Sequence, residues 1–185
     1  YDCAWAADSQ MLYSDAYAVL ALAAEHTSRI RLGTGVAVAP TRLAPVTAHS
    51  IATINRLAPG RVFLGIGTGH TAMRVMGQDP MKAGAFREYL RVLRALLHVE
   101  EVEDDRCGEL LQIRFLHADL GFIDVEHPVP IYVAADGPLA LKSAGAYGDG
   151  RVCSHNQTKA RLQKSLETMQ QGAAAVGRSL PQDFH

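Results

Sequence analysis

The sequence is poor in cysteine. Cys3, Cys107 and Cys153 are the only three in 185 residues, an odd number and far apart. They form no metal-ligand pattern, and buried or inert free thiols in a reducing cytoplasm are the expectation. There is no excess of charge of one sign: 18 basic and 19 acidic side chains leave a formal net charge of −1. That argues against nucleic acid or a membrane surface as partner. No apolar run approaches the ~20 residues needed to span a bilayer. No charged leader followed by an apolar segment opens the chain, so no signal peptide is expected. Several chemical motifs are missing as well. No histidines and carboxylates share metal spacing, so no metal is expected. Gly-x-Ser-x-Gly and the phosphate-loop lysine motif are absent. Gly65-x-Gly67-x-Gly69 does not fit the dinucleotide fingerprint Gly-x-Gly-x-x-Gly, which counts against an ordinary NAD-binding domain.

What is present is an apolar fraction of 48%, enough for a substantial core, and a length that suits one globular domain. The stretch Arg61 to His70 (RVFLGIGTGH) organises the chain. Its first half reads as a short buried strand. Three glycines at alternate positions then open the strand's C-terminal end, with Thr68 and His70 among them. Such an end reads either as a plain glycine turn or as a place where a flat or phosphorylated ligand approaches the main chain.

Around it, short apolar strands alternate with helices. Residues 1–7 read as a buried strand and 15–26 as a helix capped by Ser14 or Asp15, with Tyr17, Leu20, Ala21 and Ala24 on one face. Residues 30–38 read as a strand containing Gly33 and Gly35, where glycine marks a bulge or close approach. Pro40 to Arg42 reads as a loop. Pro45 opens a helix with Val46, Ile51, Ile54 and Leu57 as its apolar face, and Pro59-Gly60 ends it. Residues 71–82 read as a loop and 83–98 as an amphipathic helix on Phe86, Leu90, Leu93 and Leu97. The rhythm breaks over residues 99–128. There Glu100 to Asp105 reads as a solvated acidic turn and Leu110 to Leu116 as a hairpin strand. It returns with a strand at 129–135, a helix through Tyr147, a short strand at 151–153 and a last helix from about Thr158 to Val176. That helix repeats Leu162, Leu166, Met169, Ala173 and Val176 on one face.

Alternating strands and helices imply an α/β fold with parallel strands joined by right-handed crossovers. Two architectures fit: an open doubly wound sheet and a (β/α) barrel. Both bind ligands at the C-terminal ends of the strands. Those ends offer Asp8 and Ser9, Thr34 to Ala37, Thr68 to His70, Ala135 to Pro138, and Ser154 to Asn156. Asp8 either caps the next turn or contacts a bound ring or a substrate donor. Asp136 is either a helix N-cap, or Gly137-Pro138 opens a helix whose free N–H groups, at Gly137 and Leu139, bind a phosphate. His49, on a helix, reads as structural or exposed. At the strand end, His70 can donate, accept or shuttle a proton near neutral pH.

Four segments together carry a resemblance: Arg29 to Val36 (RIRLGTGV), Pro40 to Ile54, Gly60 to Gly69 (GRVFLGIGTG), and Pro130 to Pro138 (PIYVAADGP) followed by Gly148 to Gly150. Their order and spacing resemble the luciferase-like oxidoreductases, and within them the deazaflavin-dependent branch of methylenetetrahydromethanopterin reductases and their relatives. The resemblance implies a (β/α)8 TIM barrel, incomplete here, with about five of its parallel strands in a single domain over 1–185 and an excursion at about 99–128. It implies a piece of a longer protein that would be marginal alone because its sheet edges are open.

The resemblance further implies an oxidoreductase that moves a hydride between coenzyme F420 and an organic substrate. An FMN-dependent monooxygenase and a non-catalytic flavin-binding or assembly subunit are the alternatives. The cofactor would lie across the strand ends. Gly35 and Val36 match a bulge under the ring, where relatives carry a non-proline cis peptide bond. Thr68, Gly69 and His70 match a loop beside the ring, and Ala135, Asp136, Gly137 and Pro138 match the segment near the phosphate. Asp8 and His70 would orient the ring or supply a proton. Ser9 stands where many deazaflavin enzymes have histidine, and His70 where some carry a carboxylate. A small-molecule substrate, a homodimer and a cytoplasmic location complete the expectation, with no nucleic acid and no membrane.

Overall fold

The computed structural model describes residues 1–105, 108, 110–153 and 157–181. In chain order the elements are β1 (Cys3–Ala6), α1 (Ala16–His26), β2 (Arg31–Val38), α2 (Ala44–Leu57), β3 (Val62–Gly67), α3 (His70–Val75) and α4 (Ala83–Leu97). A hairpin of β4 (Val102–Asp104) and β5 (Leu111–Ile113) follows, then β6 (Ile131–Ala134), α5 (Pro138–Tyr147), β7 (Gly150–Val152) and α6 (Lys159–Ala174).

Five strands form one parallel sheet in the order β1-β2-β3-β6-β7, and β4 and β5 pair apart from it, antiparallel. With the hairpin set aside, the order in the sheet is the order in the chain. Every crossover therefore steps the same way, and right-handed connections lay their helices on one face. A doubly wound sheet reverses direction at a switch point; no reversal occurs among the described strands. The topology is that of an arc of a (β/α)8 barrel.

Local chemistry accounts for the elements. Asp15 caps α1 by accepting from the Ala18 N–H. Arg61 closes the other end of α1, donating to the carbonyls of Ala24, Thr27 and Ile30. Pro45 stands in the first turn of α2. Every residue of β3 is buried. Against the helix-side face of the sheet, Leu64, Ile66, Ile131 and Val133 pack with Ile51, Phe86, Leu90 and Leu93.

On the opposite face Trp5, Gly33 and Phe63 are register neighbours, and Gly65 pairs with Tyr132. The Trp5 and Phe63 rings lie 4.5 Å apart and those of Phe63 and Tyr132 5.5 Å apart. Arg31 sits 5.5 Å over Phe63 and donates to the Tyr132 hydroxyl at 3.0 Å. Glycine makes room for this layer. A Cβ on Gly33 would lie 2.2 Å from the Phe63 ring, and one on Gly65 3.0 Å from the Trp5 ring.

The structure departs from the sequence expectations at several elements, among them Ala39–Thr41, a 3-10 turn of helix where Pro40 to Arg42 reads as a loop. β1 is an edge strand with exposed residues, Trp5 being 45% accessible, because only β2 pairs with it. In α2, Val46 and Leu57 face outward, and the buried face is completed by Ala44, Thr47, Ala48, Ala52 and Asn55. Residues 70–75 are helical rather than loop. Part of the acidic turn is strand β4, with Val102 and Asp104 buried. Leu162 and Leu166 of α6 are exposed, while Met169 and Ala173 carry its packing. Cys3 and Cys153 are exposed free thiols rather than buried ones; Cys107 lies outside the described residues. No helix among the described residues is long and apolar enough to cross a membrane.

Candidate functional site

A cleft of about 540 Å³ opens at the C-terminal ends of β1, β2, β3, β6 and β7. Its volume falls within the ~300–1,000 Å³ usual for small-molecule sites. The sequence-derived residues Asp8, Gly35, Val36, Thr68, Gly69, His70, Ala135, Asp136 and Gly137 all line it. Pro138 instead lines a neighbouring cavity that Asp136 also borders. Ser9 is in the cleft wall; Ser154, His155 and Asn156 lie outside the described residues. His49 is exposed on α2 and does not border the cleft.

The floor is built by β2 and β3. The β2–β3 register shifts between Thr34 and Ala37, and the Gly35–Val36 peptide bond inside that bulge is cis. Thr34 pins the bulge by donating its hydroxyl to the Gly65 carbonyl at 2.6 Å. At the end of β3, Gly69 has φ +80, a left-handed conformation that favours glycine. It turns the chain into α3, whose first residue is His70, exposed on the rim. A Cβ at Gly67 would come within 3.1 Å of the Ala134 methyl and 3.2 Å of Val36. The floor therefore consists of backbone and small side chains.

Asp8 is 2% accessible. Its Oδ2 accepts from the Val38 N–H and from Arg42 Nη1, each at 3.0 Å, and its Oδ1 accepts from Gln10 at 2.7 Å. Arg42 also reaches Asp15 at 3.2 Å and lies 4.5 Å over the Tyr17 ring. Asp8 thus ties the loop after β1 to the end of β2. Asp136 pairs with Arg151 at 2.9 Å. The N-cap of α5 is Gly137, with no side-chain hydrogen bond at the cap, so the N-cap reading of Asp136 does not hold. A Cβ on Gly137 would meet nothing within 4 Å, so a ligand can approach the backbone at that helix start.

Sequence reasoning missed Arg42 and Cys153. Arg42 falls in a loop by its sequence, and its partner Asp8 is 34 residues away. Cys153 lines the cleft next to Val152, one residue beyond a strand too short to show where its end would fall. Among the described residues no cluster of side chains could hold a metal ion.

Known proteins resemble this chain over nearly its whole length. An F420-dependent glucose-6-phosphate dehydrogenase from Mycolicibacterium fortuitum is 36% identical over 165 residues, covering 84% of this chain and 47% of the relative. A 5,10-methylenetetrahydromethanopterin reductase from Methanolobus tindarius is 33% identical, covering 89% and 49%. The solved structure of a coenzyme F420 dependent tetrahydromethanopterin reductase from Methanopyrus kandleri superposes with a TM-score of 0.71 at 27% identity, covering 97% of this chain and 55% of that one. The chain spans about half the length of the curated relatives it matches. Residues 1–184 match the luciferase-like monooxygenase family, and the chain belongs to it.

Proposed function

We propose that the cleft holds the ring system of coenzyme F420 and that the protein moves a hydride between this cofactor and a small organic substrate. The observation that carries the reading is the floor at the strand ends. Backbone and small side chains at Gly35, Val36, Gly67 and Ala134 leave a surface without projecting groups, suited to a flat ring. The open, side-chain-free start of α5 at Gly137 suits the cofactor's phosphate. The named relatives support the choice of deazaflavin, since two of them are F420-dependent by name.

When bound, the cofactor supplies the hydride chemistry. The chain's own residues do the positioning. Gly35 and Val36 support the ring from below, and Thr68 and Gly69 bound it at the side. Ala135, Asp136, Gly137 and Pro138 form the turn that meets the phosphate. Asp8 holds the loop after β1 against β2 and so fixes the cleft wall. His70, exposed on the rim, is the group available to give or take a proton. In the whole protein we place this chemistry in a cytoplasmic homodimer; the exposed apolar side chains Val19, Leu22, Leu43 and Val46 on the outer surface support a subunit contact.

Side-by-side fluorescence titrations of the purified protein with F420 and with FMN test the reading. Saturable F420 binding, with FMN much weaker, is expected. Binding of neither sinks it. Preferential FMN binding with oxygen consumption assigns the cleft to monooxygenase chemistry instead.

A further inference from the structure

We infer that Trp5 is a positioning residue for the cleft: its ring props the Gly35–Val36 floor from beneath and so sets where a flat ligand lies. The inference rests on the reading of the cleft as a flavin-ring site. Trp5 does not itself border the cleft; it acts through Gly35, which does.

Side chains two apart on a strand share a face. At the strand ends this stacks two tiers of residues. The upper tier, Ala7, Gly35, Gly67 and Ala134, lines the cleft and is made of small residues. Two residues back along the same segments stand Trp5, Gly33, Gly65 and Tyr132, with the Phe63 ring filling the space at Gly33. The bare floor therefore lies on an aromatic tier, and Trp5 is the ring of that tier nearest to Gly35.

The floor needs such a support because the sheet does not hold it. The β1–β2 ladder ends at Ala6 with Thr34. The β2–β3 ladder passes from Thr34 with Leu64 to Ala37 with Ile66. Neither ladder pairs Gly35 or Val36, so their position is set by what they touch. A Cβ at Gly35 would lie 2.8 Å from the Trp5 Cβ and 3.1 Å from its ring. A Cβ at Gly65 would lie 3.0 Å from the same ring and 3.1 Å from a Val36 methyl. The indole is itself fixed in place. Its Nε1 donates to Cys3 Sγ at 3.3 Å, and its ring lies 4.5 Å from that of Phe63 and 6.1 Å from that of Tyr132. Truncating the indole would empty the space under the floor, and neighbours fill such a space only in part. The unpaired bulge would then lose its defined height.

Flavin titrations and amide hydrogen exchange of the purified protein test this, with Trp5→Ala, Trp5→Phe and, as a control, Ile51→Val. Ile51 is fully buried in α2 on the other face of the sheet and does not border the cleft, so its variant shows what lost stability alone does. Trp5→Ala is expected to weaken binding of whichever flavin the wild-type protein takes, F420 or FMN, at least about tenfold. Trp5→Phe keeps a ring under Gly35 and should stay within about threefold, as should Ile51→Val. In the ligand-free protein, Trp5→Ala is expected to speed exchange at Ala37 and Val38, which follow the floor, by about tenfold or more relative to the amides of α4. A lowered melting temperature with unchanged flavin affinity makes Trp5 a structural residue only and overturns the proposal. Equal weakening in Ile51→Val, or exchange that rises equally in α4, overturns it as well. When the wild-type protein binds neither flavin, the cofactor reading falls, and exchange at Ala37 and Val38 alone decides whether Trp5 holds the floor.

Discussion

Arg42 reaches across 34 positions of sequence to the buried carboxylate of Asp8, Nη1 to Oδ2 at 3.0 Å, with side-chain exposures of 19% and 1%. The pair fastens the wall of the cleft, since the same carboxylate oxygen accepts the Val38 N–H. Removing one member of a buried pair leaves the other uncompensated, a loss of about 3–5 kcal/mol. Asp8→Ala is expected near the lower figure, because Arg42 keeps partial access to water and a second partner in Asp15. The Asp15 contact itself contributes little, its carboxylate being exposed. Urea denaturation of Asp8→Ala, Arg42→Ala and the double variant gives the coupling between them. Strictly additive losses would dissolve the pair as a unit.

The contact between α5 and α6 rests on two glycines. A Cβ on Gly145 would fall 1.8 Å from the Met169 carbonyl oxygen, and one on Gly172 2.0 Å from that of Lys142. Both obstacles are backbone, so the helices themselves must separate. Either alanine substitution is expected to cost at least about 3 kcal/mol, the upper end for overpacking. Gly84 is the contrast. It lies in α4, and a Cβ there would meet nothing within 4 Å. Gly84→Ala is expected to stabilise by up to about 0.5 kcal/mol, below the mid-helix gain because Gly84 is the second residue of α4. Denaturation midpoints of the three variants separate the two effects.

These glycines mark the limit of what the sequence discloses. Strong periodicity was legible: α4 runs Ala83–Leu97 and buries Phe86, Leu90, Leu93 and Leu97, as its spacing implies. The apolar run before Gly67 was legible as a buried strand, and the strand ends named most of the cleft lining in advance. Faces made of small residues were not. Alanine, threonine and asparagine carry little hydropathy signal, so the pattern of α2 points to Val46 and Leu57 as buried, whereas its buried face runs through Ala48 and Ala52. The same holds for α6, where Gly172 and Ala173 pack and Leu162 and Leu166 do not. Periodicity alone leaves barrel and doubly wound sheet both open; the family-like segments select the barrel, and the strand order bears that out. That order is fixed by non-local pairings such as Leu64 with Ile131.

Tyr17 gives stability a dependence on alkaline pH. Its hydroxyl is buried, and the neighbouring Thr47 hydroxyl is engaged with Tyr89 and does not reach it in good hydrogen-bond geometry. Burial pushes the phenol pKa above its ordinary value, while the Arg42 charge opposes that shift. The fold therefore favours the neutral phenol. Below the ordinary phenol pKa of about 10 both folded and unfolded chains hold the proton, and the contribution is constant. As pH rises past that value the unfolded chain ionises first, so stability falls toward the raised folded pKa. Tyr17→Phe is expected to leave stability at pH 7 unchanged, or raise it by up to about 1 kcal/mol by removing a poorly paired buried hydroxyl. It should also flatten the alkaline decline. Denaturation midpoints across the alkaline range read this directly, and an undiminished slope in the variant would exclude Tyr17 as its source.

His70 is one of four titratable groups that line the cleft, the others being Asp8, Asp136 and Cys153. Asp8 has both oxygens engaged, by Arg42, Val38 and Gln10. Asp136 is paired with Arg151. The His70 imidazole stands exposed at the first position of α3, held there by the turn at Gly69, and its ring makes no hydrogen bond among the described residues. An imidazole so placed can exchange protons with both solvent and a bound substrate. Under the proposed hydride transfer, His70→Ala is expected to lower kcat by about 10²-fold or more, the usual contribution of a positioned acid or base. The F420 dissociation constant should move by less than about tenfold. The melting temperature should not change, because an exposed side chain without partners carries no folding energy. An unchanged kcat would reduce His70 to lining. A lowered kcat with an equally weakened F420 affinity would make it a cofactor contact instead of a proton donor.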